Sequence, residues 1–334
     1  MGADLRTTAW SLALLLLHGL TSCGATPPAG GQLGGGSAPP TLAGCPVFPV
    51  DHVWNARVDA LPVHPLSDAY VAAIGPDSPV HPDFGSGLWE GAPIGIPFTT
   101  VGADQPLVGV SFYYEDESDP GPYPLPAEAP VEGAPPGGVA AGGDRHVLVV
   151  DEDDCVLYEL FDAERQQDGT WLAGSGARFD LRGYELRPDS WTSADAAGLP
   201  ILPGLVRYEE VASGEIAHAL RFTAPRTAAS HVWPARHHAS NLAGEQYPPL
   251  GTRFRLRVDF DTTGMSPEAR VVAEALKRYG MILADNGSAW FISGAPHDDW
   301  DNGALRDLRT ITGADFEVVD SSLLMGDPNS GRVR

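Results

Sequence analysis

His146-Val-Leu-Val-Val150, Asp151-Glu-Asp-Asp154 and Cys155-Val-Leu-Tyr-Glu-Leu-Phe161 form the stretch that decides the fold of this chain. Both arms are apolar on both faces and an acidic turn separates them, which marks two antiparallel central strands of a sheet covered on each side. Outward from it, Gln166-Gln-Asp-Gly169 turns the chain into a strand over 170–173, and Arg178-Phe-Asp-Leu181 reads as the next strand. Upstream, 108–114 alternates as a strand. The following 115–143, with an acidic cluster and seven prolines, reads as a long surface excursion. His81-Pro-Asp-Phe-Gly-Ser-Gly87 and Ile94-Gly-Ile-Pro-Phe98 are punctuated by glycine and proline, which argues loops and an edge strand.

Downstream, Ile216, His218, Leu220 and Phe222 share one face of a strand. Over 252–261, Phe254, Leu256, Val258 and Phe260 line one face, and Arg253, Arg255, Arg257 and Asp259 the other. The three arginines read as a solvated face or a local positive row. Asn286-Gly287 between Met281-Ile-Leu-Ala-Asp285 and Ser288-Ala-Trp-Phe-Ile-Ser293 predicts a hairpin, with Asp285 opposite Ser288 and Leu283 opposite Trp290. Helices are few. Ser67 caps a short one that Gly75 stops, 207–212 makes another before Gly214, and 304–311 a third. The best follows Ser266-Pro-Glu268, with Val271, Val272, Ala275, Leu276 and Tyr279 as its apolar face and Gly280 as its end. Many apolar strands spaced by Gly/Pro turns, without regular helical crossovers, predict a mainly β fold. A two-layer β-sandwich or jelly-roll-like sheet with a few peripheral helices is expected, with α+β as the alternative.

The first 22 residues read as a targeting segment, because Arg6 precedes an apolar run over 9–17 that is too short to span a bilayer. The run ends in Leu20-Thr21-Ser22-Cys23, which resembles the lipobox of bacterial lipoproteins, where the cysteine is lipidated and becomes the new N-terminus. An ordinary signal peptide with a chance cysteine is the alternative. Residues 24–44 carry no charge and are mostly Gly, Pro, Ala, Ser and Thr, so 23–44 is expected to be a lipidated cysteine on a flexible tether. No composition break interrupts 45–334, which is expected to be a single globular domain. Export would place Cys45 and Cys155 in an oxidising compartment, where a disulfide between them is expected, two buried free thiols being the alternative.

The net charge of −23 repels phosphate backbones, so nucleic acid is excluded as a partner, and the membrane is expected to be met only through the lipid anchor. No His-Glu-x-x-His and no paired-cysteine spacing occurs, and Asp298-Asp-Trp-Asp-Asn-Gly303 has Trp300 where a calcium loop needs an oxygen ligand. No metal and no cofactor are expected. Gly-x-Ser-x-Gly and glycine-rich phosphate loops are likewise missing, which leaves chemistry by carboxylate, histidine, arginine or tyrosine.

Such residues concentrate in 191–238, where Asp195, Arg207, Glu209, His218, Arg221, Arg236 and His237 are mixed with core-like residues at a density that neither a solvated loop nor a plain core requires. Catalytic roles are expected of Asp195, His218, His237 and Asp285, and substrate binding of Arg207, Glu209, Arg221, Arg236 and His146. The plainer reading of each histidine is a buried ring satisfied by a backbone carbonyl. Cys45 to Pro49, His81 to Gly87, Asp144 to His146, Trp191 to Leu205, Trp233 to His237 and Tyr279 to Gly287 resemble motifs of a family of uncharacterised secreted bacterial proteins. That resemblance carries over no catalytic residue. The leading expectation is a monomeric enzyme, lipid-anchored in the bacterial cell envelope, that acts on an extracellular polysaccharide or other glycan by hydrolysis or elimination. A non-catalytic surface binding or structural lipoprotein is the alternative.

Overall fold

The strands Val147–Asp151 and Val156–Phe161 pair antiparallel, with Val149 opposite Tyr158, and the first is buried along its whole length. Their two faces feed two different cores. Leu148, Val150 and Leu157 join the larger one, while Val147, Val149, Tyr158 and Leu160 join the smaller, which is why neither face carries the polar alternation of a solvated strand. Ser175–Asp180 pairs antiparallel with the second strand, and Phe98–Val101 parallel with the first, completing a four-stranded sheet. A three-stranded sheet of Glu164–Arg165, Trp171–Ala173 and Val110–Phe112 contributes to the smaller core. So does the proline-rich stretch: Tyr123, Leu125 and Ala129 are buried there. The reading of 115–143 as a surface excursion is therefore corrected, because the apolar residues between its prolines have a core of their own to cover.

These relations come from a computed structural model that describes residues 38–136, 138–140 and 142–334. The targeting segment, Cys23 and most of the tether lie outside the described residues. Among the described residues no helix is long and apolar enough to cross a membrane.

The second large sheet has six strands, in the order Phe316–Val318, Arg253–Leu256, Met281–Asn286, Leu220–Ala224, Phe291–Ser293, His81–Asp83. This order corrects the expected Asn286-Gly287 hairpin. Both of its strands exist, but Leu220–Ala224 lies between them, parallel to the first and antiparallel to the second. Gly287 N donates to Ala224 O and Thr223 Oγ1 to Ser288 O, so the Asn-Gly segment arches over the end of the inserted strand instead of turning tightly. The expected strand over 252–261 is also shorter. It ends at Leu256, and a turn closed by Phe260 N on Arg257 O leaves Val258 in solvent. Nor is its arginine face solvated. Arg253 is buried and donates to the carbonyls of Val53, Ala56 and Tyr279, and Arg255 holds Glu317 and three further carbonyls. Upstream, the strand expected from 216 begins only at Leu220.

Among the described residues four α-helices, Ser67–Ile74, Tyr208–Ser213, Pro267–Arg278 and Asn302–Leu305, sit among these sheets. Ser67 is the first helical residue and not the cap; its hydroxyl accepts the amide of Val318 at 2.9 Å and docks the helix on the edge strand. Pro267–Arg278 follows its sequence pattern, with Ala269, Val272, Ala273, Ala275 and Leu276 buried. The result is mainly β, with several sheets and few helices. Cys45 and Cys155 are disulfide-bonded across a separation of 110 residues, tying the start of the described chain to the turn of the central hairpin.

Between the four-stranded and six-stranded sheets runs the segment 191–206. Towards the first sheet, Ser193 O accepts from Ser175 Oγ at 2.6 Å, and the amides of Ile201 and Leu202 donate to buried Glu159. Towards the second, Ala197 N donates to Ala284 O at 2.9 Å and Val206 N to Ser293 O at 3.1 Å. Gly204 is where this packing is tightest. A Cβ there would stand 2.7 Å from Cβ of Arg221 and 2.8 Å from the Trp54 ring, so any larger residue would push the segment off the sheet.

Candidate active site

The six-stranded sheet builds a polar row across its strands. Ser293 lies opposite Asp83, and Phe222 opposite Ile292, which sets Arg221 on the face of Ser293 and Asp83. Regular alternation would put Asp285 on the other face, with Leu283 and Phe222. A bulge between Phe222 and Thr223 removes that parity, so Asp285 pairs with Thr223 and turns to the Arg221 face. The extra residue, Ala284, spends its carbonyl on Ala197 and thereby seats the turn that carries Asp195.

Arg221 is the hub. Its Nε and Nη2 donate to the two oxygens of Asp195 at 2.8 and 2.9 Å, its Nη1 to Ser293 Oγ at 2.7 Å, and Nη2 also to Asp285 at 3.3 Å. The bidentate fork fixes both partners in a site from which water is nearly excluded. Burial raises the Asp285 carboxyl, the adjacent Asp195 raises it further, Arg221 opposes both, and the balance lies at about 7. Burial likewise lifts Glu159 to about 7 against its two amide donors. On the other side of the turn, His146 contacts Glu132 at 2.5 Å through Nδ1 and the Ala194 carbonyl at 3.0 Å through Nε2. An ionised Glu132 and a carbonyl can only accept, so a ring that satisfies both is an imidazolium. Burial alone would lower its pKa, but the Glu132 charge and hydrogen bond carry it to about 9.

Glu132 connects this buried cluster to a cavity of about 850 Å³. Asp83 and Glu132 both line it, and their environments push them apart. Burial in the pocket wall, helped by the Glu132 charge, raises Asp83, even though its side chain is open to pocket water. Glu132 falls below the usual glutamate value, because His146 outweighs the effect of burial. His81, stacked on Phe291 at 4.1 Å, forms the floor beside Asp83. Arg306 and Arg309 line the cavity as well, on a turn that packs against the His81–Asp83 strand. The rim carries Trp89, 71% exposed, on a hairpin of Leu88–Trp89 and Ala92–Pro93. Glu90 and Gly91, at φ 52° and 92°, make the two-residue turn that holds this ring out in solvent. Among the described residues, no three His, Cys, Asp or Glu side chains are grouped to hold a metal ion.

Of the residues singled out from sequence, Asp195, Arg221 and Asp285 come together, and His146 grips the carbonyl next to Asp195. His237, half-buried, bonds Ala196 O at 2.8 Å on the far side of the same turn. The others do not join them. His218 is fully buried, with its ring nitrogens committed to Ala219 O and Glu210, and Arg207 pairs with the same Glu210. Arg236 donates to Arg187 O, Pro328 O and Asn329 Oδ1, pinning the C-terminal segment. Glu209 is exposed, 3.8 Å from His297. Sequence reasoning missed Asp83, Glu132, Glu159 and the two pocket arginines. The motif around His81 to Gly87 was a signal for the first; Glu132, between prolines and glycines, offered none. No family model, no curated protein and no solved structure matches the chain.

Proposed function

We propose that the protein is a glycan hydrolase of the bacterial cell envelope, with Asp83 as the general acid and Glu132 as the carboxylate that activates water or attacks the sugar. The reading is carried by one observation: two carboxyl groups that line one cavity are displaced in opposite directions, one towards the proton and one away from it. Hydrolysis of a glycosidic bond needs that division of labour, an acid to protonate the leaving oxygen and an ionised partner across the ring. His146 and the Asp195–Arg221 pair are positioning residues behind Glu132. Trp89 offers a rigid apolar plate on which a sugar ring can stack. The Cys45–Cys155 bond supports an exported, oxidising location, and Cys23 would supply the anchor.

The test is a screen of the purified protein on polysaccharides, reading new reducing ends together with the absorbance of unsaturated uronates. Hydrolysis yields the first without the second. Asp83→Asn should lower turnover on the order of a hundredfold or more while leaving the melting temperature near the wild type. Glu132→Gln should lower turnover as far, but with some loss of stability, because buried His146 keeps an acceptor and loses the charge that holds it protonated. Unchanged turnover in Asp83→Asn, or reducing ends that always accompany unsaturation, would overturn the assignment.

A further inference from the structure

The part of the lining opposite in character to Asp83 and Glu132 is formed by the 3-10 turn Arg306–Thr310. In a 3-10 helix, side chains three apart eclipse one another, so Arg306 and Arg309 project to the same side, and both line the cavity. Both are exposed, and among the described residues neither lies within ion-pair distance of a carboxylate, a state they share with other exposed arginines such as Arg165 and Arg226; what sets these two apart is that both line the cavity. The carboxylates nearest in sequence are engaged elsewhere: Asp307 accepts Ser266 N at 2.8 Å, and Asp301 accepts the amides of Gly303 and Ala304. Arg309 is also close to the acidic part, since its charge bears on His81, next but one to Asp83.

From this placement we infer that the pocket takes an acidic sugar, a uronic acid residue whose carboxylate is received by Arg306 and Arg309 while the adjoining glycosidic bond lies at Asp83 and Glu132. The inference rests on the reading of the cavity as a glycan site. Two guanidinium forks without protein partners match a planar carboxylate, and they supply local positive potential in a chain whose net charge of −23 would otherwise repel an anionic polymer. A neutral glycan offers these two side chains only single hydroxyl acceptors, without the charge or the paired oxygens of a carboxylate.

Polygalacturonate and its methyl ester share a backbone and differ in charge, as do alginate and its propylene-glycol ester, so each pair isolates the carboxylate. Wild-type protein should cleave the free acid in preference to the ester. Arg306→Gln and Arg309→Gln should each raise KM for it on the order of tenfold with kcat nearly kept, and KM should climb with added salt most steeply in the wild type, less in either single variant and least when both are replaced. Binding is measured separately on Asp83→Asn, which retains both arginines. If short oligouronates bind Asp83→Asn and are lost when both arginines are replaced, while the wild type cleaves no glycan, the acidic-sugar site stands and hydrolysis falls. If neutral polymers are cleaved and the arginine substitutions change nothing, hydrolysis stands and the acidic-sugar site falls. Preference for the esters, tighter binding of a sulfated galactan than of either uronate, or no binding of oligouronates overturns the inference.

Discussion

Arg221 and Arg253 flank the same residue, Ile282, from the strands on either side of it in one sheet, and both are almost fully buried. What meets them differs. Arg221 is enclosed by Asp195, Asp285 and Ser293, and although burial opposes its charge, the carboxylates raise its pKa above the ordinary arginine value. Arg253 meets only the carbonyls of Tyr279, Val53 and Ala56, and burial lowers its pKa. One arginine neutralises part of an acidic cluster behind a cavity; the other staples two segments, around Val53–Ala56 and at Tyr279, to a sheet. A buried arginine is thus no sign of a site by itself. The excess of carboxylates around it is.

The largest effect is expected where removing the arginine strands a charge. Arg221→Met should cost about 3–5 kcal/mol of stability, because Asp195 is left buried without a cation. Arg253→Met leaves only neutral acceptors under-satisfied and should cost less, about 1–3 kcal/mol. Adding Asp195→Leu to Arg221→Met should recover most of the loss, a coupling that urea unfolding of the single and double variants measures directly. If Arg253→Met proves the more damaging, or the double variant gains nothing, the two arginines do the same job and the comparison fails.

A smaller effect separates the two regions by pH. Asp285, Glu159 and His146 all hold protons in the folded protein at pH values where the unfolded chain has released them, with pKa values raised to about 7, 7 and 9. The folded state binds more protons, so stability falls as pH rises, from about pH 4 to about pH 7 for the two acids and from about 6.5 to about 9 for the histidine. Asp285→Asn abolishes one share of that decline. It should be more stable than the wild type by roughly 1–4 kcal/mol at about pH 8 and equal to it at about pH 4. Arg253→Met removes no group that titrates between about pH 4 and about pH 8, so over that range it should shift the pH curve without changing its shape. Parallel curves for Asp285→Asn and wild type would break the distinction.

Parts of this were legible in the sequence because they depend on local pattern. The hairpin over 147–161 is apolar on both faces, and the helix Pro267–Arg278 shows its stripe, its proline and its terminal cations. What sequence did not carry is what comes from elsewhere in the chain. The insertion of Leu220–Ala224 between two strands joined by Asn-Gly, and the bulge that turns Asp285 to the Arg221 face, are decided by a strand some sixty residues away. Within the candidate site, Asp195, Arg221 and Asp285 stood out as charges amid apolar runs. Asp83 and Glu132 sit among prolines and glycines, where a carboxylate reads as solvated, and only the fold folds those loops over one cavity.

The row Arg253, Arg255, Arg257 holds the smallest expected effect. Alternation alone makes the three equivalent, yet the strand ends at Leu256, so the third member leaves the sheet. Arg257 has a half-exposed side chain and stands 3.8 Å from Glu317, which Arg255 already holds at 2.7 Å. Solvent screens so open a pair, and the carboxylate keeps its better partner when Arg257 is removed. Arg257→Ala should therefore change stability by less than about 0.5 kcal/mol and leave the salt dependence of unfolding unaltered. Arg255→Ala should cost more, since it frees Glu317 together with the carbonyls of Val58, Asp59 and Leu61. If Arg257→Ala matches Arg255→Ala in denaturant, exposure does not grade the row, and the contrast between a stapling arginine and a solvated one loses its physical basis.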